Sequence, residues 1–220
     1  MCGNLLRMLP SNIRVNVIND GSDENFDENY GNVIAELGRF DDYSYWDMEH
    51  CGRERFWLLW NHAMKATSGY HHIFIPDDVM VRPSFVKSAI ELYESLVDHN
   101  ERTGTLNLLA DQLRKGKSQW THNQVRPVSV DGIDYFDTGW VDGCFICSTD
   151  VIEALERKIN PISEDRFQSE TVSSGVGEQI SKRLHALAWK MYQVQNTLVH
   201  HGHHESMMHP VERQNNPLVT

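Results

Sequence analysis

Positive charge is what this chain is shortest of. Its 220 residues carry 20 Lys and Arg against 31 Asp and Glu, a formal net charge of −11 with histidine neutral. That balance counts against coating nucleic acid or an anionic membrane as the main task, though a local basic groove remains compatible with it. Cysteine is also scarce. Cys2, Cys51, Cys144 and Cys147 stand at irregular intervals and do not make a disulfide framework in a chain of this size. Long apolar runs are missing: none approaches the about 18 residues needed to cross a bilayer, so no membrane span is expected. Met1 to Pro10 lacks the charged start, long apolar stretch and small-residue cleavage site of a secretory leader. Internal repeats are absent as well. The expectation from these gaps is a reduced, soluble, cytoplasmic protein. Its 40% apolar and 10% aromatic residues suffice for a real core.

What is present alternates between two periods. Ile13 to Ile18 is β-branched and alternating, which predicts a strand, and it runs into the turn formers Asn19-Asp20-Gly21-Ser22-Asp23. A helix is expected over Phe26 to Leu37 and a second strand over Tyr43 to Trp46. Another helix is expected over Arg53 to Ala66, where Phe56, Leu59, Trp60, Ala63 and Met64 share one face. His72 to Ile75 reads as a short strand broken by Pro76-Asp77-Asp78, and Pro83-Ser84 as the opening of the next helix. Thr105 to Leu109 reads as a strand and Ala110 to Val130 as a long polar loop with scattered basic residues. Trp140 to Cys147 reads as a strand, Asp150 to Lys158 as a helix, Glu178 to Trp189 as a helix and Tyr192 to Leu198 as extended chain. Such alternation predicts an α/β fold with a mostly parallel central sheet flanked by helices. The expected bounds are an N-terminal segment 1–12, a catalytic domain 13–199 and a His-rich tail 200–220. In parallel sheets ligands gather beyond the carboxyl ends of the strands, where Asp20 and the Asp77/Asp78 pair both fall.

Each polar cluster admits two readings. Asp20-Gly21-Ser22 is either a plain turn or a carboxylate site for a nucleobase or ribose. The adjacent carboxylates Asp77 and Asp78 are either a cap or a site for a hard divalent cation, Mg²⁺ or Mn²⁺, which would also bridge a diphosphate. Asp142-Gly143 is either a hairpin turn or a close backbone approach to a ligand. Glu178 either complements a helix dipole or serves as a base at a helix start. Cys144 and Cys147 lack a second pair to complete a zinc site and read as buried and inert. The run His200-His201-Gly202-His203-His204, with His209, is either a surface cluster or a metal site. Trp57, Trp60, Trp120 and Trp140 include candidates for stacking on sugar faces, with Trp60 the one better suited to the core.

The order of these motifs carries more than any one of them. An Asp-Gly-Ser strand end is followed by a Gly-led helix containing Asn (Gly52 to Asn61), then a hydrophobic strand with an acidic pair (Asp77/Asp78). Asp142-Gly143 and an isolated Glu178 opening a helix come next. This order resembles the GT-A class of nucleotide-sugar-dependent glycosyltransferases, over roughly residues 13 to 205. The resemblance implies a GT-A-like domain that moves a sugar from a nucleotide-diphosphate sugar to an acceptor hydroxyl with the help of Mn or Mg. By it, Asp20, Gly21, Ser22, Gly52, Asn61 and Asp77 would bind the donor. Asp78, with His201 or His203, would hold the metal, Glu178 would be the base, and Asp142 would lie near donor sugar or acceptor. Three departures are visible: the acidic motif reads Pro-Asp-Asp, the usual Glu-Asp pair reads Glu178-Gln179, and the strand and helix that precede the Asp-Gly-Ser strand shrink to Met1 to Asn12. Part of the nucleotide pocket is then absent, rebuilt from elsewhere or supplied by a partner.

The acceptor is left open: a glycan, a protein, a lipid-linked precursor or modified DNA. A viral-type transferase acting on hydroxymethylated bases would use the basic residues between Arg114 and Arg126, with Trp120 among them, on phosphate and base. Two rivals come from other classes. One is a metal-dependent phosphohydrolase or His-site metalloprotein built on Asp77, Asp78 and His200 to His209. The other is a nucleotide-binding module without turnover.

Overall fold

A fifteen-residue amphipathic helix organises the larger part of the core. Phe85, Ala89, Tyr93 and Leu96 recur at helical spacing on one face of α4 (Phe85–His99), and all four are buried at 0–2% exposure. Fully burying a side chain of this kind is worth roughly 1.5–3 kcal/mol, which is why the face and not helix propensity fixes this element. Tyr93 also satisfies its polar end in the interior. Its hydroxyl lies 3.2 Å from both Thr103 O and Gly104 O and accepts the Ser148 N–H at 3.0 Å.

The coordinates are a computed structural model that describes residues 2–21, 27–52, 54–82, 84–110, 126–141, 143–168 and 174–201. The elements run α1 (Cys2–Met8), β1 (Arg14–Asn19), α2 (Asp27–Leu37), β2 (Asp42–Asp47), α3 (Trp57–Ala66), β3 (His71–Phe74), β4 (Val79–Val81), α4, β5 (Thr103–Asn107), β6 (Arg126–Val130), β7 (Ile133–Thr138) and β8 (Phe145–Ser148). They continue with α5 (Thr149–Ala154), a short 3-10 helix (Glu164–Gln168), α6 (Val176–Ala186), β9 (Lys190–Val194) and β10 (Val199–His201).

Six strands form the central sheet in the order β3-β8-β5-β9-β7-β6. Alternate residues of β8 and β9 divide between two cores. Ile146, Tyr192 and Val194 pack with α4, while Phe145, Cys147 and Met191 pack with α3, α5 and α6 on the opposite face. The result is a mixed α/β layered fold with helices on both faces. Two short pairs stand apart from this sheet, β1 with β2 (parallel) and β4 with β10 (antiparallel).

The mostly parallel sheet expected from the sequence is corrected here. Within the six strands only β5 and β9 are parallel neighbours; the other four pairings are antiparallel. The cause is local. Val130-Asp131-Gly132-Ile133 closes a two-residue hairpin between β6 and β7, with φ of 51° at Asp131 and 80° at Gly132. Both central residues at positive φ are what a tight antiparallel hairpin of matching twist requires. The stretch expected as loop up to Val130 therefore ends in a strand. Helix α3 starts at Trp57, later than the expected Arg53. Of the segment 1–12, α1 packs Leu5 and Leu6 into the same core as α2 and α4, and Arg7 pairs with Glu36 of α2 at 2.7 Å. No helix among the described residues is long and apolar enough to cross a membrane.

One buried histidine sets an expected pH response. His72 in β3 is 7% exposed, and its Nε2 lies 2.8 Å from Thr149 Oγ1. The single proton of that hydroxyl goes to Gly69 O, so the neutral imidazole donates Nε2–H to it. Burial, with the nearby Arg157 cation, pushes the His72 pKa down to about 4 from 6.5. The unfolded chain therefore binds more protons than the native one between these values, and stability falls as pH drops through that window. The full loss is on the order of 3 kcal/mol. Urea midpoints measured from pH 7.5 to 4 should fall for the wild type, and His72→Gln should flatten this component of the fall; an unchanged slope in the variant would remove His72 as the cause.

Candidate functional site

The first group of candidate residues lies at the end of the β1–β2 pair, which stands apart from the six-stranded sheet. Asn19 Nδ2 donates to Asp47 Oδ1 at 2.6 Å, joining the carboxyl ends of the parallel strands β1 and β2. Asp20 follows directly. Its Oδ1 accepts the Cys51 N–H at 2.7 Å, and its Oδ2 lies 3.6 Å from His50 Nδ1. Asp20 thus holds the 50–52 turn that carries Gly52 (φ 62°). Gly21 is demanded by close approach. Its φ is 55°, and a Cβ there would stand 2.5 Å from His50 N and 2.7 Å from Met48 O. The Asp-Gly signal therefore marks a tight crossing of two backbones at the end of the β1–β2 pair, with the Asp20 carboxylate partly exposed beside it.

The second part is the turn after β3. Asp77 and Asp78 occupy it, Asp77 exposed and Asp78 partly buried, and β4 begins at Val79. The paired strand β10 brings His201 opposite Val79 and His200 opposite Met80. The backbone of His201 is thereby registered one residue from Asp78, from 123 positions away in sequence. At the N-terminus, burial pushes the Cys2 thiol up to about 11, with a further contribution from the Asp77 carboxylate.

The third part is the segment leading to position 142, and its backbone is tied on every side. His185 Nε2 lies 3.0 Å from Gly139 O. Asn107 Nδ2 and Thr138 Oγ1 both donate to Trp140 O, at 3.0 and 3.2 Å. The buried Val141 N–H donates to Ser181 Oγ at 2.8 Å, and that hydroxyl donates to Gly177 O at 2.6 Å. Gly177 has a steric reason to be glycine, since a Cβ would stand 2.6 Å from Val141 O. Beyond position 142 a Cβ on Gly143 would come within 3.6 Å of the Pro76 ring. Chain from both sides of position 142 is thus set against the first turn of α6 on one hand and the Pro76-Asp77 turn on the other. Gly177→Ala should force these backbones apart at a cost of about 1–3 kcal/mol. Its denaturation midpoint should drop accordingly, and Gly31→Ala is the control because a Cβ there meets nothing within 4 Å. Equal stability of the two variants would contradict the close contact.

Glu178 lies in the first turn of α6 between two cations. Its Oε1 is 2.6 Å from Lys182 Nζ and its Oε2 is 2.7 Å from Arg166 Nη1. The Lys182 hydrogen bond is the largest influence; burial opposes it, and the Arg166 hydrogen bond and the charges of both cations keep the carboxyl below its usual range. Gly175, at φ 79°, leaves room for the Arg166 side chain, whose Nε would stand 2.8 Å from a Cβ there. Asn61 has both ends of its amide engaged by the Ile159 backbone, braced between α3 and the 158–160 segment. Trp60 stacks on Phe74 and Phe145 with ring centroids 5.1 and 5.8 Å away, within the core beneath β3 and β8. Cys144 and Cys147 are buried, and burial pushes the Cys147 thiol far up.

Ser22, Asp142 and His203 lie outside the described residues, as do Trp120 and the basic residues from Arg114 to Lys117. Among the described residues no group of three or more His, Cys, Asp or Glu side chains is gathered as a metal site. The donor set at Asp77 and Asp78 nonetheless suits Mg²⁺ or Mn²⁺, because such an ion is often held by one or two carboxylates plus substrate phosphates and water. Arg166 escaped sequence reasoning. Nothing in its spacing announces a contact with a residue twelve positions on. No protein-family model matches the chain, and no curated protein matches it significantly.

Proposed function

We propose that the chain is a glycosyltransferase that moves a sugar from a nucleotide-diphosphate sugar to an acceptor hydroxyl with the help of a divalent cation. The observation that carries this reading is the convergence of three distant segments. The Asp77–Asp78 turn, the chain at Val141 and Gly143 and the first turn of α6 are linked by the Gly143–Pro76 and Gly177–Val141 approaches, and the register of β10 adds the His201 backbone beside the acidic turn. An acidic turn and a helix start from separate parts of the chain are thereby linked through the backbone at Val141 and Gly143, an arrangement that suits a site for two substrates.

In this reading Asp78, with Asp77, holds Mn or Mg. Such an ion would supply positive charge to offset the charge that develops on the leaving diphosphate. Asp20 accepts hydrogen bonds from the nucleoside at the end of β1. The Glu178 carboxylate takes the proton from the acceptor hydroxyl while that oxygen bonds to the anomeric carbon. The bond from this carbon to the phosphate oxygen breaks, and the electron pair leaves with the nucleoside diphosphate. The tied Gly139–Val141 backbone keeps the floor of the site in one geometry, which lowers the cost of orienting two substrates. The mixed α/β layers and the parallel β1–β2 pair are compatible with a GT-A-like domain.

Isotopic tracing of the sugar tests the reading. Label from a nucleotide sugar should pass to an acceptor only with Mn or Mg present. Release of free phosphate without sugar transfer would instead point to a phosphohydrolase.

A further inference from the structure

A cavity of about 240 Å³ opens between the 3-10 helix and α6, lined by Pro161, Ile162, Arg166, Gly175, Glu178 and Lys182, among others. It lies below the about 300–1,000 Å³ of pockets that enclose drug-sized ligands, so it suits a small group and not a whole nucleotide sugar. Its charges do not balance: two cations face one carboxylate. Arg166 is built in, with its side chain laid over Gly175 and only 23% exposed. Lys182 is 75% exposed, so its ammonium is reached from solvent. The other polar lining groups have partners of their own: Gln179 bonds the Asn160 backbone through both amide ends, and Ser163 donates to Asp165. Pro161 and Ile162 supply an apolar wall.

We propose that this cavity is a phosphate subsite, in which Arg166 and Lys182 bind the phosphate of a phosphate-bearing acceptor beside Glu178. The word acceptor rests on the glycosyl-transfer reading; the phosphate site does not. A phosphate offers more charge and more acceptor oxygens than a carboxylate, and guanidinium and ammonium groups bind it through short charge-assisted hydrogen bonds. Glu178 keeps the two cations in place until the phosphate arrives. When the phosphate takes over their donors, the carboxylate is released from both pairs and becomes a stronger base next to the bound acceptor. The positive charge is thus concentrated where the substrate's phosphate docks, in a chain whose net charge is −11.

Titration of the full chain with inorganic phosphate tests this, at constant ionic strength in sodium chloride, followed by carboxyl NMR of labelled glutamate and by calorimetry. Saturable binding is expected, with a shift of the Glu178 carboxyl signal. Lys182→Gln and Arg166→Gln should each weaken binding about tenfold. Lys182 is exposed, so its variant keeps the fold; thermal midpoints verify both. Competition arms identify the source of the phosphate. A hexose phosphate that displaces inorganic phosphate assigns a sugar or small-molecule phosphate, and a short single-stranded oligonucleotide that does so assigns a nucleic-acid diester. The unphosphorylated hexose should displace nothing. Unchanged affinity in Lys182→Gln, or no saturable binding in the wild type, would overturn the proposal. The titration contains neither nucleotide sugar nor divalent cation, so its failure is separate from failure of the donor reading, which depends on nucleotide diphosphate binding at Asp77 and Asp78.

Discussion

Asp78→Asn should abolish metal-dependent sugar transfer while leaving the fold in place. Asparagine keeps the shape of the side chain and removes the charge that a hard cation needs. Asp78 sits in a turn whose following strand is held by the burial of Val79, 1% exposed, and by pairing with β10. Stability should therefore change little. Charge stabilisation of a leaving diphosphate is worth several kcal/mol, so turnover should fall by about 10³-fold or more. Steady-state rates across a Mn²⁺ series, with the thermal midpoint of each protein recorded beside them, measure both parts. Full activity in the variant would reduce the acidic pair to an ordinary turn.

Glu178→Gln comes next in expected size. General-base catalysis contributes about 10²–10⁴-fold, so kcat should fall by that order while donor affinity holds. The two ion pairs of Glu178 are partly exposed, and such pairs contribute about 0–1 kcal/mol, so a large loss of stability is not expected. Asp142→Asn is the companion variant. The backbone on either side of position 142 is fixed by Ser181, Asn107 and the Gly143–Pro76 approach. A large kcat loss in Asp142→Asn with little in Glu178→Gln would transfer the role of base to Asp142. Equal and modest losses in both would show that neither is the base.

Much of the framework was legible because its residues carry one period strongly. β1, α2, β2 and α4 fall within a few residues of their expected bounds, and Trp60 belongs to the core as its helical face indicates. The mixed sheet was not legible, because alternation of strands and helices does not encode strand direction. The Asp131-Gly132 turn did carry a strong local hairpin signal, yet the polar stretch before it masked β6. β4 and β10 have only three residues each, too few to show a period, and they pair across more than a hundred positions. At the site, the acids stood out as residue types, but their engagement did not. The bond from Asp20 to Cys51 N–H, the bracing of Ile159 by Asn61 and the clamp of Arg166 on Glu178 all join segments whose proximity only the fold creates.

Thermal denaturation of the wild type and Asp78→Asn with nucleoside diphosphates, each with and without Mn²⁺, tests the central claim most directly. A ligand at 100 times its Kd stabilises the native state by about 2.7 kcal/mol. For a chain of this size that raises the midpoint by roughly 5–10 °C. The account predicts this shift for one nucleoside diphosphate in the wild type, only when Mn²⁺ or Mg²⁺ is present, and its loss in Asp78→Asn with an unchanged ligand-free midpoint. A metal-independent shift retained in full by Asp78→Asn, or no shift with any nucleoside diphosphate, would contradict it.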